Sequence, residues 1–190
     1  MSDKTSLRFQ LRKIRKTFEK YHLFWPDAKD LPEQFRHILA ASSVIAGYAR
    51  SGSEADPAGL MEWAAQMGKV IALPWLADRT ASLAFRKWAI GEPLETAPFG
   101  FHQPKASAPL CKPDVILTPL VGFDRALNRL GQGAGHYDRA FAALPDSLRI
   151  GLAWSVQECD ALNPDPWDMP LDAVLTEKEW ITDPQSRIRA

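Results

Sequence analysis

Three glycines at alternate positions stand out in the segment RLGQGAGHYDR, residues 129–139. Because they lack a Cβ, Gly131, Gly133 and Gly135 let their backbone N–H groups approach a ligand closely, in dihedrals that other residues avoid. Arg129 precedes them by two residues and offers a planar guanidinium that matches two phosphate oxygens. Together these residues predict a site for an anionic group, and phosphate is the group that fits best.

A short helix that follows would point at the same site. The run from His136 to Leu144 has helical character and stops before Pro145, so its N-terminus, with a partial positive charge, would face the ligand. Asp138 lies in the first turn, where a carboxylate could hold the magnesium ion of a bound nucleotide. The segment is therefore a candidate nucleotide site.

Two common phosphate motifs do not match this segment. It lacks the Gly-Lys-Ser/Thr of a Walker A loop, and its third glycine comes one residue too early for the G-x-G-x-x-G dinucleotide turn. An ordinary strand-to-helix turn that uses glycine for its geometry is the other interpretation of the glycines alone. The flanking Arg129 and Asp138 favour the phosphate site.

Alternating strands and helices must position these residues. An apolar run from Val115 to Asp124 predicts a buried strand that leads into the glycine segment. Further strands are predicted at residues 44–49, 69–75, 81–88, 149–154 and 173–176. Helices are predicted from Ser2 or Asp3 to residue 21, from residue 31, at 59–67 and at 136–144. This order predicts an α/β fold, with a mostly parallel sheet, helices on both faces, and the loops of interest at one edge.

The first predicted helix has two different faces. Its apolar face is expected to pack on the core and consists of Leu7, Leu11, Ile14, Phe18 and Tyr21. Its other face is basic and consists of Lys4, Arg8, Arg12, Lys13, Arg15, Lys16 and Lys20. Most of these cations are expected to be solvated surface, and a surface that binds RNA or a membrane is the alternative. Lys4 and Arg8 lie one turn apart.

Glu54 lies in a polar loop directly after the strand predicted at 44–49. This loop falls at the carboxyl ends of the strands, the edge at which open α/β sheets bind ligands. A solvent-exposed carboxylate is the commoner explanation for a single glutamate, and a ligand contact is the other.

Composition and charge limit the class of protein. The 190 residues are 46% hydrophobic and 24% charged, which suits one globular domain over residues 1–190. With 23 basic and 23 acidic residues, no overall field favours nucleic acid or an anionic membrane. Cys111 and Cys159 match no metal-binding spacing and are expected to be plain thiols. No apolar run is long enough to span a bilayer, and we expect a cytoplasmic monomer.

Several motifs agree in order and spacing with one known family. Near the glycines they are Gly122-Phe123-Asp124 and Arg129-Leu130-Gly131-x-Gly133-x-Gly135-x-Tyr137-Asp138-Arg139. Elsewhere they are Lys4-x-x-Leu7-Arg8, Glu54-Ala55-Asp56-Pro57, Gly68-Lys69-x-Ile71-Ala72-Leu73-Pro74 and Trp167-Asp168-x-Pro170-Leu171-Asp172. By these residues the chain resembles the 5-formyltetrahydrofolate cyclo-ligase family, also called methenyltetrahydrofolate synthetases, over most of its length.

The resemblance implies a three-layer Rossmann-like fold and a ligase. Its reaction would use ATP and Mg²⁺ to convert 5-formyltetrahydrofolate, with or without a polyglutamate tail, to 5,10-methenyltetrahydrofolate through a phosphorylated formyl intermediate, with release of ADP and phosphate. The implied catalytic residues are Arg129 and Tyr137, and the implied metal ligands are Asp138 and Asp168. The implied ATP-binding residues are Lys4, Arg8, Arg129, Leu130, Gly131, Gln132, Gly133, Ala134, Gly135, His136 and Tyr137. The implied folate-binding residues are Arg8, Glu54, Gln132, Gly133, Ala134, Gly135 and His136.

Three positions depart from the family pattern. His136 stands where the family usually has Tyr or Phe, Ala134 where it usually has Gly or Lys, and Gln103 where it usually has an acidic residue. A neutral aromatic substitute is the favoured interpretation of His136. A non-catalytic relative that binds folate or nucleotide is the alternative to an enzyme.

Overall fold

A computed structural model of the protein describes residues 4–21, 30–78, 80–98, 100–183 and 186–188. Within these ranges the helices are α1 (Lys4–Glu19), α2 (Glu33–Ala41), α3 (Ala58–Gln66) and α4 (His136–Ala143). The strands are β1 (Val44–Ala46), β2 (Val70–Trp75), β3 (Ala84–Lys87), β4 (Glu95–Thr96), β5 (His102–Gln103), β6 (Val115–Pro119), β7 (Gly122–Phe123), β8 (Arg129–Leu130), β9 (Leu148–Leu152), β10 (Ala173–Leu175) and β11 (Trp180–Thr182). The cap predicted at Ser2 or Asp3 lies outside the described residues.

One seven-stranded sheet, in the order β11-β10-β9-β6-β1-β2-β3, forms the centre of the fold. The inner strands from β10 to β2 run parallel to one another. The edge strands β3 and β11 are antiparallel to their neighbours. The prediction of an α/β fold with a mostly parallel sheet is therefore confirmed.

Helices cover both faces of this sheet, because successive strand residues point in opposite directions. In β1, Ile45 belongs to one apolar cluster and Ala46 to another. The first cluster includes Phe35 of α2 and Leu60 of α3, whereas the second includes Phe141 of α4. The sheet thus forms the middle of three layers, as the sequence predicted.

The strand order reverses between β1 and β6. From β1 the chain continues outward to β2 and β3, whereas β6 is followed by β9 and β10 on the opposite side. Loops that leave the carboxyl ends of two such strands diverge and leave a crevice, which is where open α/β sheets bind ligands. Here the two segments are the loop with Glu54 and the segment with the three glycines.

The strands differ from the prediction in several places, and the short strands β4, β5 and β8 were not predicted. The strand predicted from Val115 to Asp124 is divided into β6 and β7, which belong to different sheets. The strand predicted at 81–88 is limited to Ala84–Lys87. The last strand, β11, was not predicted, and its residues pair with β10 in antiparallel register.

The predicted apolar face of α1 is only partly correct. Leu11 is buried, but Ile14 is 46% exposed and Tyr21 is 79% exposed. Arg15, which was assigned to the solvated basic face, is instead buried, and its Nη1 donates to the backbone oxygen of Leu120 at 3.1 Å. The helix is therefore rotated so that part of its basic face packs on the protein.

Two smaller expectations concern chemistry and membranes. Cys111 and Cys159 are free thiols, as predicted. No helix among the described residues combines the length and the apolar character that a membrane span needs.

Candidate active site

A cavity of about 600 Å³ opens where the inner strands end. Its walls come from the first turns of α1, the loop after β1, the segment from β8 into α4, and the turn at 165–168. Every residue that the sequence analysis proposed for the site lines this cavity. The structure therefore brings the predicted site residues together, at the crevice that the strand order creates.

The hairpin of β7 and β8 positions Arg129. Its turn is closed by buried Asp124, whose carboxylate accepts bonds from the backbone and side-chain N–H groups of Asn128, both at 2.9 Å, and from Leu162 N at 2.8 Å. Gly122 lies opposite α1, where a Cβ would come within 2.6 Å of a Leu11 methyl group. This explains the motif Gly122-Phe123-Asp124: the glycine admits the helix and the aspartate fixes the turn.

Arg129 and Asp138 form an ion pair in the cavity wall. Nη2 of Arg129 lies 3.0 Å from Oδ1 and 2.9 Å from Oδ2 of Asp138, and the two side chains are 5% and 13% exposed. The guanidinium carbon lies 5.6 Å from the ring centre of Tyr137 and 5.7 Å from that of Phe141. Its Nε is buried and finds no acceptor among the described residues, which leaves one donor of the cation unsatisfied.

Two of the three glycines have backbone geometry that other residues resist. Gly133 has φ +106° and Gly135 has φ +64°. Gly131 has ordinary dihedrals, but a Cβ there would lie 2.6 Å from Nη1 of Arg129. The first glycine thus makes room for the arginine, and the other two shape the loop.

His136 opens α4 next to Arg139. Nη2 of Arg139 lies 2.9 Å from Nδ1 of His136, so Nδ1 acts as the acceptor in this contact. Burial lowers the pKa of His136, and the positive charge of Arg139 lowers it further. The imidazole is therefore neutral at pH 7, in agreement with a neutral aromatic substitute.

Lys4 joins the start of α1 to the turn at 165–168. Its Nζ lies 2.6 Å from Oδ2 of Asp165 and 3.0 Å from Oδ2 of Asp168. The bond to Asp165 raises the pKa of Lys4 against the opposing effect of burial. Burial acts to raise the pKa of Asp168, but bonds from Asp165 N–H and Lys4 outweigh it and leave that pKa lowered. Lys4 and Asp168 are therefore both charged at neutral pH.

Glu54 is a buried carboxylate rather than a solvated loop residue. It is 7% exposed, and its oxygens accept bonds from Ser51 N at 3.2 Å and from Nε2 of Gln132 at 3.3 Å. Burial raises its pKa, while the positive charge of Arg15 acts in the opposite sense. A carboxylate held out of water and lining a cavity is a common feature of functional sites.

The basic face of α1 holds three of the loops that surround the cavity. Arg8 Nε donates to the backbone oxygen of Gly131 at 2.8 Å, and Arg12 Nε donates to Oε1 of Gln132 at 3.1 Å. Arg15 Nε donates to Oγ of Ser53, next to Glu54, at 3.1 Å. With Lys4, these cations recur at intervals of four, four and three residues, so they share one side of the helix.

The predicted metal ligands Asp138 and Asp168 come from distant parts of the chain but line the same cavity. They are linked through Met169, whose backbone N lies 3.4 Å from Oδ1 of Asp138. Among the described residues, no group of three or more His, Cys, Asp or Glu side chains is arranged to hold a metal ion by itself. Magnesium usually binds through one or two carboxylates and substrate phosphates, so these two residues form the kind of donor set that it uses.

Several residues that line the cavity, or that bond to the loops around it, were not predicted from the sequence. Asp165 forms an ion pair with Lys4. Trp167, which follows Asp165 and precedes Asp168 in the sequence, is 69% exposed and also lines the cavity. Arg12 and Arg15 were assigned to the solvated face. The four-four-three spacing of the cations on α1 was the signal that could have identified both arginines.

The fold and the site define an α/β protein whose charged ligand cleft lies at the reversal of the strand order. A sequence model of the 5-formyltetrahydrofolate cyclo-ligase family matches residues 1–177. The 5-formyltetrahydrofolate cyclo-ligase of Haemophilus influenzae is 33% identical over 138 residues, which are 69% of this chain and 74% of that protein. The one from Escherichia coli K12 is 33% identical over 150 residues, which are 75% and 82% of the two chains.

Solved structures agree on the fold. An NMR structure of the Aquifex aeolicus 5,10-methenyltetrahydrofolate synthetase superposes with a TM-score of 0.73 at 23% identity, covering 97% of this chain and 94% of that one. The Mycoplasma pneumoniae 5,10-methenyltetrahydrofolate synthetase superposes with a TM-score of 0.64, also at 23% identity, covering 92% and 99%. The chain therefore belongs to the 5-formyltetrahydrofolate cyclo-ligase family, and it is a ligase of folate one-carbon metabolism.

Proposed function

We propose that the protein closes 5-formyltetrahydrofolate to 5,10-methenyltetrahydrofolate, with ATP as the second substrate and ADP and phosphate as the other products. The observation that carries this proposal is that one cavity is lined by the glycine loop, by Arg129 and by Glu54. Arg129 has an unsatisfied Nε, and Glu54 is a buried carboxylate. The family membership supports the same reaction.

The chemical difficulty is that the oxygen of an N-formyl group is a poor leaving group. Transfer of the γ-phosphoryl group of ATP to this oxygen releases ADP and activates the formyl carbon. The N10 nitrogen of the same folate then attacks that carbon and loses its proton, and the C–O bond breaks as phosphate leaves. No covalent bond to the protein is required, so catalysis consists of alignment and of neutralising the charge on the phosphoryl oxygens.

The cations and the glycine loop suit the phosphate end of this reaction. Lys4, Arg8 and Arg129 line one cavity, and the N–H groups of the loop add donors without side-chain obstruction. Lys4 and Arg129 also bond to carboxylates, so a polyphosphate would share these cations with the proposed metal ligands Asp168 and Asp138. Arg129 and Tyr137, whose ring lies beside the guanidinium, are the residues to which we assign catalysis.

Asp138 and Asp168 are the residues that would hold Mg²⁺. They supply oxygen donors at the same cavity, which fits an ion that also takes phosphate oxygens as ligands. When bound, Mg²⁺ supplies positive charge that offsets the charge of the β- and γ-phosphates. The protein's own part is to hold the two carboxylates in place through Arg129 and Lys4.

Glu54 and Tyr137 suit the folate end. Glu54 is buried and its carboxylate accepts two hydrogen bonds, and a pterin ring offers further N–H donors that a carboxylate accepts. Burial raises the pKa of Tyr137, so its hydroxyl stays protonated and can donate a hydrogen bond. Residues 132–136 of the glycine loop line the same cavity as these side chains, and we assign them to contact both substrates.

The test is optical. Purified protein is mixed with 5-formyltetrahydrofolate and MgATP, and the near-ultraviolet absorbance of methenyltetrahydrofolate is followed, with a reaction that lacks ATP as control. We expect absorbance to rise only with ATP. A flat trace at every pH, combined with tight binding of folate or nucleotide, would identify a non-catalytic binding protein instead.

A further inference from the structure

The side chain of Gln132 connects the glycine segment with the loop after β1 and with α1. Its Nε2 donates to Oε1 of Glu54 at 3.3 Å. Its Oε1 accepts from Nε of Arg12 at 3.1 Å and also from Nη2 of the same guanidinium. The amide is thus held at both ends, and its orientation is fixed, because a flipped amide would direct its NH₂ group at the cation.

Arg12 affects the position of Glu54 indirectly, through Gln132. Gln132 is exposed, and ordering a glutamine side chain costs rotamer entropy. Two charge-assisted hydrogen bonds from one guanidinium offset that cost. Among the described residues only Arg12 bonds this oxygen, so without Arg12 the amide would rotate freely and its NH₂ group would lose its alignment with Glu54.

We propose that Arg12 is a positioning residue for the folate site: it orients Gln132, and Gln132 holds the carboxylate of Glu54 in place beside the glycine loop. This inference rests on the proposed function, in which Glu54 meets the folate. Arg12 does not itself line the cavity. Because Arg12 acts on Glu54 through the side chain of Gln132 and, in the described part of the chain, makes no bond to the loop backbone at that residue, its main effect should fall on folate affinity.

The test compares Arg12→Ala, Gln132→Ala and the double variant with the unmodified protein. We expect Arg12→Ala to raise the KM for 5-formyltetrahydrofolate about fivefold, the loss of roughly one hydrogen bond, while kcat and the KM for ATP change less than about twofold. In the Gln132→Ala background the same substitution should not raise this KM further, because the side chain through which Arg12 acts is already removed. Arg12→Lys should restore part of the affinity, since an ammonium group still donates to Oε1.

Lys16→Ala is the matched control, because Lys16 is an exposed cation on the same helix. It should leave both KM values unchanged. The proposal would be overturned if Arg12→Ala raised the KM for 5-formyltetrahydrofolate equally in the unmodified protein and in the Gln132→Ala background. It would also be overturned if Lys16→Ala raised this KM as much as Arg12→Ala does, because both results would indicate a general charge effect. An unchanged folate KM in Arg12→Ala would overturn it too.

Failure of the proposed function would look different. If the unmodified protein showed no turnover, the same variants would be compared by equilibrium binding of 5-formyltetrahydrofolate alone. A fivefold loss of affinity in Arg12→Ala that disappears in the Gln132→Ala background would support the positioning role even for a protein without catalysis. Identical binding by all variants would reject it.

Discussion

Arg129 and Asp138 hold each other in an almost enclosed ion pair, although one is the predicted phosphate-binding cation and the other the predicted metal ligand. Each therefore fixes the position of the other. Removing one member of such a pair leaves a buried charge without its partner, which costs more than the pair contributes in isolation.

Asp138→Asn should destabilise the protein by about 2–4 kcal/mol, because the Arg129 guanidinium would lose its counter-charge in a site that is 5% exposed. Urea unfolding at pH 7 measures the change. Asp160→Asn, at an exposed aspartate, is the control and should change stability by less than about 0.5 kcal/mol. Equal stability of the two variants would mean that water reaches the pair more freely than the structure indicates.

Arg129→Lys should impair the use of ATP more than the binding of folate. Lysine keeps the charge but loses the planar fork and the buried Nε donor. We expect kcat/KM for ATP to fall about tenfold or more, and the dissociation constant for folate to change less than about threefold. Steady-state kinetics and folate titration measure the two quantities. Equal losses in both would show that the cation is assigned to the wrong substrate.

Asp168→Asn should raise the Mg²⁺ concentration that gives half-maximal activity, by about tenfold, because one of two carboxylate ligands would be neutral. Activity is measured against free Mg²⁺ at saturating ATP, and chelation of the metal should abolish it in both proteins. Asp160→Asn again serves as the control. If the Mg²⁺ concentration for half-maximal activity were unchanged in Asp168→Asn, Asp168 would be excluded as a ligand.

Glu54→Gln should increase stability at neutral pH while it weakens folate binding. Burial raises the pKa of Glu54 above 4.5, so the folded protein binds this proton more tightly than the unfolded chain does. The contribution of Glu54 to stability is therefore full at low pH and is lost as pH rises through the folded-state pKa. In thermal unfolding from pH 4 to pH 8, the melting temperature of the variant should exceed that of the unmodified protein by a difference that grows with pH. Glu62→Gln, at an exposed glutamate in α3, should show no such trend.

Gly133→Ala and Gly131→Ala should both reduce activity, for different reasons. Alanine at φ +106° strains the backbone by about 1–3 kcal/mol, whereas a Cβ at Gly131 would displace the end of Arg129. We expect Gly133→Ala to lower the melting temperature more than Gly131→Ala does, since the arginine can move. Gly59→Ala, where a Cβ meets nothing within 4 Å, is the control and should be neutral or stabilising. The reverse order of the two melting temperatures would contradict this account.

Much of the fold follows from local pattern. Short apolar runs separated by helical segments specify the alternation, and in β1 a period of two assigns Ile45 and Ala46 to opposite layers. The antiparallel edge strand β11 was not predictable in the same way, because three residues with one buried side chain carry little periodicity. The division of the strand predicted from Val115 also depends on a partner, since β7 pairs with β8 rather than with the main sheet.

The glycine segment and Asp138 were predictable because their chemistry is local. Arg15 was not, since a pattern of apolar residues assigns every arginine to the surface, whereas a long aliphatic stem can cross an apolar layer and deliver its guanidinium to buried carbonyl groups. Arg15 reaches the backbone of Leu120, and Arg12 reaches a glutamine far along the chain. Such contacts depend on how α1 docks, which no single segment encodes.

The docking of α1 also determines when the site can form. Lys4 and its partner Asp165 are separated by 161 positions, and Arg8 and Gly131 by 123. Because α1 precedes these partners by 161 and 123 positions, it can meet them only after the intervening chain has been synthesised. Contacts of such high sequence separation form late. In refolding experiments, recovery of activity should consequently lag behind the recovery of helical circular dichroism.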